Sequence, residues 1–171
     1  EKYFQTKTMQ RLKGKGMFCG MDFVQMPKLK PREYYSRFDH CVNLSYDAGV
    51  WGYKGLPEQL SALFHDVGTY SFAHVNSFKK GEGLTQENDE MSVKAVLMQD
   101  KEILEYLYQD RISLDDVVDC SKFSLIDKPI PALCLDRADG ILSTCLFWAK
   151  THNFEEVKNL FEMQGYVPNL N

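Results

Sequence analysis

Apolar residues recur near a 3.6-residue period over seven stretches of this chain, 33–50, 57–67, 88–99, 101–109, 114–120, 131–150 and 154–163, and the alternation of a half-buried strand is nearly absent. The pattern predicts an all-α protein. Several boundaries carry their own chemistry. Pro57 stands where a first helical residue would be, and Ser113 and Asn153 are placed to cap the runs that follow them. Pro129 and Pro131 set the approach to the long helix containing Asp136. Between Gly14 and Pro31 five Gly and Pro residues break any helix, so a loop crossing the surface is expected there, with a second loop after His74. At 171 residues, 44% hydrophobic and 13% aromatic, the chain has material for one domain with a real core, and a single domain over 1–171 is expected. It stops abruptly at Tyr166-Val-Pro-Asn-Leu-Asn171, which is read either as the edge of a fragment or as the ordered part of a longer protein.

Within this pattern one junction is hard to explain by packing. Leu60, Leu63 and Phe64 recur at helical spacing and lead straight into His65-Asp66, with Gly68 placed to stop the helix. Two more segments supply partners: Ser36-Arg37-Phe38-Asp39-His40 upstream, and Leu133-Cys134-Leu135-Asp136-Arg137-Ala138-Asp139 downstream. A lone buried histidine is usually a satisfied core residue, so the metal reading rests on the three segments together. Two neutral imidazoles (His40, His65) and two carboxylates (Asp66, Asp136) carry a formal charge of about −2, which one divalent ion such as Mn²⁺, Fe²⁺, Mg²⁺ or Zn²⁺ balances. An octahedral arrangement leaves room for water and a phosphate oxygen, which is a hydrolytic centre.

This order of segments resembles the HD-domain metal-dependent phosphohydrolases, and its flanking residues are most similar to the deoxynucleoside triphosphate triphosphohydrolase-like branch and its uncharacterised bacterial relatives. That branch shows Gln-Arg-Leu near the N-terminus, Ser/Asn-Arg-Phe-Glu-His, His-Asp-Ile-Gly-His-Gly-Pro-Phe-Ser-His and Asp-Arg-x-Asp-Tyr. Here stand Gln10-Arg11-Leu12, Ser36 to His40, His65-Asp66-Val67-Gly68-Thr69-Tyr70-Ser71-Phe72-Ala73-His74, and Asp136-Arg137-Ala138-Asp139-Gly140, so the likeness runs from 10 to about 145. It implies an HD-domain helical bundle, with His40, His65, Asp66 and Asp136 as metal ligands and Arg37, Arg137 and His74 facing substrate phosphates. A guanidinium can grip phosphate oxygens through two hydrogen bonds. For each arginine a structural ion pair is an equally open reading.

The departures define the limits of the resemblance. Thr69 replaces the histidine three residues after the His-Asp pair, and Asn88 stands where another is expected. In the triphosphohydrolases those positions supply the general acid and base, and neither a hydroxyl nor an amide exchanges protons as an imidazole does. Gly140 and Thr144 replace the residues that hold deoxyribose. Glu87, Asp89 or Glu90 would have to serve as a substitute base, although three carboxylates there also suit a helix N-terminus. Asp139 reads either as an outer partner of the metal site or as part of a salt bridge, and Tyr34-Tyr35 as core or boundary aromatics. The expected activity is metal-dependent hydrolysis of a nucleotide or other small phosphorylated metabolite. The competing expectation is a weak or inactive domain that binds such a ligand or keeps the metal as a structural clamp.

A formal charge of −4, with no long run of one sign, argues against a dedicated nucleic-acid or membrane surface. Lys13, Lys15, Lys28, Lys30 and Arg32 form the one basic concentration and read as a solvated loop. Five cysteines, odd in number and without close pairs, point to reduced thiols in a cytoplasmic protein, and a homo-oligomer is compatible with all of this.

Overall fold

The computed structural model describes residues 1–18, 20–26, 28, 31, 33–69, 87–129, 131–148 and 153–163, with 87–91 and 160–163 described by backbone alone. Among these the chain forms seven α-helices and no strand: α1 (Lys7–Arg11), α2 (Arg37–Trp51), α3 (Leu56–Phe64), α4 (Glu87–Leu97), α5 (Lys101–Gln109), α6 (Leu135–Ser143) and α7 (Phe154–Met163). The protein is all-α. No helix among the described residues is long and apolar enough to cross a membrane.

α2 is the axis of the arrangement, packing against both α3 and α6. It begins at Arg37, later than the periodicity suggests, because Ser36 and Asp39 form a reciprocal capping box. The residues just before it are held extended, with the Met17 amide donating to Tyr35 O at 2.9 Å and the Arg37 amide to Lys15 O at 2.8 Å. α2 and α3 divide two apolar clusters between them. Cys41, Leu60, Leu63 and Phe64 pack with Met9, Leu97 and Ile103, while Leu44, Ala48 and Ala62 pack with Leu125, Ile126 and Leu135. Phe64 is fully buried and meets Tyr3 edge-on at 5.9 Å. Burial of such a ring contributes on the order of 2–3 kcal/mol, which anchors the end of α3 and with it the residue that follows.

Other differences from the periodicity have local causes. The stretch 114–120 is two 3₁₀ turns, Leu114–Asp116 and Cys120–Lys122, because Ser113 and Asp119 each offer a side-chain oxygen to the backbone and compete with a continuous helix. The long helix predicted over 131–150 is α6 followed by a π-helical turn, Thr144–Trp148. α1 was not legible from periodicity; its five residues are held by tertiary contacts, with Thr8 donating through its amide and hydroxyl to Asp100 and Met9 fully buried. The Gly14–Pro31 region is not purely superficial, since Phe18 is buried, 6.4 Å from the Tyr35 ring. Of the cysteines, Cys41 and Cys134 are buried, Cys120 and Cys145 are half-buried, all four are free thiols, and Cys19 lies outside the described residues.

Candidate metal centre

Three helix ends deliver the predicted ligands. His40 lies in the first turn of α2, behind the Ser36 cap, and its side chain is 1% exposed. His65 caps the C-terminus of α3, and the turn after it closes through the Val67 amide on Phe64 O (3.0 Å) and the Thr69 amide on Asp66 O (3.1 Å). Gly68 is required there. A Cβ at this position would fall 2.0 Å from Ser92 Oγ and 2.8 Å from the Val93 amide, so only glycine lets α4 pack against the turn. Asp136 sits in the first turn of α6, whose start is pinned by the Leu135 amide on Leu125 O (2.9 Å) and the Asp136 amide on Ile126 O (3.2 Å).

The two imidazoles point the same nitrogen inward. His40 Nδ1 lies 2.5 Å from Asp139 Oδ2, and His65 Nδ1 lies 2.7 Å from the Ala62 carbonyl oxygen. Each acceptor draws the ring's proton outward to Nδ1, so each neutral ring turns an Nε2 lone pair inward. Those two nitrogens stand 3.1 Å apart, and His40 Nε2 is 3.1 Å from Asp136 Oδ1. His65 Nε2 is 3.7 Å from Asp136 Oδ1 and 3.9 Å from Asp66 Oδ2. Adjacent donors held at about 2.1 Å by one ion stand roughly 3.0–3.4 Å apart; the donor set fits a divalent cation in chemistry, the His40–His65 and His40–Asp136 spacings fall in that range, and the 3.7 and 3.9 Å separations are wider. Burial opposes the charge on His40, but hydrogen bonds with Asp136 and Asp139 outweigh it and push the imidazole up to about 10. Burial also opposes the charge on Asp136 and Asp66, yet both are held below the usual carboxylate range, Asp136 by His40 and His65, Asp66 by His65 and Arg37.

His40, His65 and Asp136 converge, and Asp66 flanks them with its carboxylate otherwise engaged. Its Oδ2 accepts from Arg37 Nη1 and its Oδ1 from the Thr69 hydroxyl at 2.7 Å. The Cys41 sulfur is close to His65 and Asp66, and burial pushes its thiol far up. The Asp136 side chain, 34% exposed, marks the open side of the centre.

The remaining predicted residues are placed unevenly. Arg37 borders the centre through Asp66. Arg137 faces the loop before its own helix, donating to the Ala132 and Lys128 carbonyls and lying 3.1 Å from Cys134 Sγ and 3.4 Å from Asp127 Oδ1. It thereby engages two members, Asp127 and Cys134, of the neighbouring Asp127, Cys134 and Asp136 group. Glu87, Asn88, Asp89 and Glu90 fall in the first turn of α4, where the backbone alone is described, and His74 lies outside the described residues. Thr144 donates its hydroxyl to Gly140 O at 2.7 Å.

Periodicity and motif spacing do not disclose what stands behind the Asp139 carboxylate that supports His40. Asn43 donates to the Tyr35 hydroxyl at 2.9 Å, Tyr35 donates to the Asp139 carboxylate at 3.0 Å, and the Tyr35 ring stacks on Phe147 at 5.1 Å. The sequence offers Asp139 itself as an outer partner, and the helical spacing of His40 and Asn43 is the further signal for the rest. Comparison with protein-family models, curated proteins and solved structures finds no match.

Proposed function

We propose that this protein is a divalent-metal-dependent phosphohydrolase of the HD-domain type, acting on a nucleotide or another small phosphorylated metabolite. The observation that carries the reading is the pair of inward Nε2 atoms, 3.1 Å apart and joined by Asp136, each with its outer nitrogen engaged by an acceptor. Two ring nitrogens at that distance need positive charge between them, and a divalent cation supplies it to both rings and to Asp136 at once. His40, His65, Asp66 and Asp136 would hold the ion, which supplies Lewis acidity toward a phosphoryl oxygen and an activated water. Arg37 stands beside Asp66 to offset charge developing on the phosphate, and the half-open Asp136 side leaves an approach for substrate.

A weaker or purely binding role is favoured by one feature. The hydroxyl of Thr69, where the resembling enzymes carry an imidazole, is spent on Asp66 Oδ1 and holds a ligand in place. Metal titration followed by a screen of nucleotides and sugar phosphates separates the readings. Hydrolysis that stops on chelation while helical circular dichroism persists supports the enzyme, and unfolding on chelation without turnover supports the clamp. His65→Ala is expected to abolish metal uptake and hydrolysis together; full metal occupancy in that variant refutes the assignment.

A further inference from the structure

The N-terminal basic residues, which composition alone assigns to a solvated loop, reach the rim of the centre. Arg11 donates to the Val67 carbonyl and Lys15 Nζ to the Thr69 carbonyl, so both grasp the turn that carries His65 and Asp66. Lys15 is held there by its backbone: its amide donates to Leu12 O at 3.0 Å, its carbonyl accepts the Arg37 amide at 2.8 Å, and the next residue, Gly16, bridges to Ser36. Lys15 and Arg37 therefore border the same turn, with Arg37 on the Asp66 carboxylate.

Among the described residues, cations outnumber carboxylates at this edge. Burial lowers the Lys15 ammonium pKa, the nearby Arg11 and Arg37 lower it further, and Asp66 acts against them. That carboxylate belongs to the ligand set. Capping the turn uses one of the three ammonium hydrogens of Lys15 and leaves two donors. Arg137, the other cation expected on a phosphate, is committed to the loop carbonyls at 128 and 132.

We propose that Lys15 and Arg37 together form the anion subsite of this centre, gripping a phosphoryl group of the ligand. The inference rests on the phosphate-directed reading above and adds Lys15 to it. The test uses the full chain in excess MnCl₂, with orthophosphate as the calorimetric probe. Lys15→Gln is expected to weaken phosphate binding about tenfold to hundredfold, with Mn²⁺ affinity and circular dichroism unchanged. Lys15→Arg should stay close to the parent, as should Lys13→Gln, which removes an equal charge from the ammonium lying 4.8 Å from the Phe38 ring centroid. Equal weakening by the Lys13 and Lys15 variants, or none by either, overturns the subsite. An independent readout on the unaltered protein covers a Lys15→Gln chain that fails to fold: saturating orthophosphate should slow acylation of Lys15 severalfold relative to Lys13, and equal rates overturn the proposal. Uptake of Mn²⁺ without any phosphate binding by the parent would remove the phosphate reading as well, whereas phosphate binding indifferent to Lys15 removes this inference alone.

Discussion

At the scale of single residues, the centre depends on which nitrogen each histidine turns inward. For His40 that choice is made by Asp139, 2.5 Å from Nδ1 and itself held by Tyr35. Outer carboxylates of this kind typically change metal affinity about tenfold to hundredfold. Asp139→Asn should therefore weaken Mn²⁺ binding by about that factor, measured by competition with a chelating dye, and unchanged affinity would show that the tautomer is set by something else. Asp47, two turns along α2 from His40, carries a different consequence. Burial, aided by the Asp139 charge, raises its carboxyl from an ordinary 3.8 to about 7. The folded chain thus binds this proton more tightly than the unfolded one, so Asp47 costs stability progressively as pH rises from about 4 to 7, and the cost is constant above that. Asp47→Asn should flatten this part of the stability profile. Allowing for water at a half-buried group, the gain over the parent in urea unfolding at pH 8 should be about 1 kcal/mol, shrinking toward zero at pH 4. An equal difference at both pH values would refute it.

At the scale of elements, the helix ends matter more than the helices. Each candidate ligand sits within a turn of a terminus, where capping and tertiary pinning set the backbone: Ser36 and Asp39 for His40, the close approach at Gly68 for His65 and Asp66, and the 125–126 carbonyls for Asp136. Arg137 serves such a junction by tying the 127–134 loop to the start of α6. Arg137→Ala is accordingly expected to cost about 1–2 kcal/mol in urea unfolding, since two carbonyls lose a charged donor. Its effect on phosphate affinity should be smaller than that of Lys15→Gln. The reverse order of effects would return Arg137 to the phosphate. The 3₁₀ turns at Leu114–Asp116 and Cys120–Lys122 show the other side of capping, because closely spaced Ser and Asp side chains divided a stretch whose apolar period reads as one helix.

At the scale of the whole molecule, the sequence by itself determined the all-α class, the helices at 101–109 and 154–163, and the caps at Ser113 and Asn153. These follow from information local to a few turns: apolar spacing and side chains that satisfy the first amides of a helix. The tertiary structure brings His40, His65 and Asp136 together from three distant segments. The tertiary structure alone decided which way long side chains turn. Arg37 and Arg137 each precede or follow a ligand in the same kind of motif, yet one borders the centre and the other closes a loop, because their partners come from different parts of the chain. Lys15 reads as solvated by composition and reaches Thr69 only because the extended pairing with Ser36 and Arg37 carries it there. Likewise α1 exists through Asp100 and a buried Met9 rather than through propensity, since five residues cannot sustain a helix without packing. Local spacing specifies which faces and ends a chain presents; the direction of a guanidinium or an ammonium is settled by which distant carbonyls and carboxylates the fold brings within its reach.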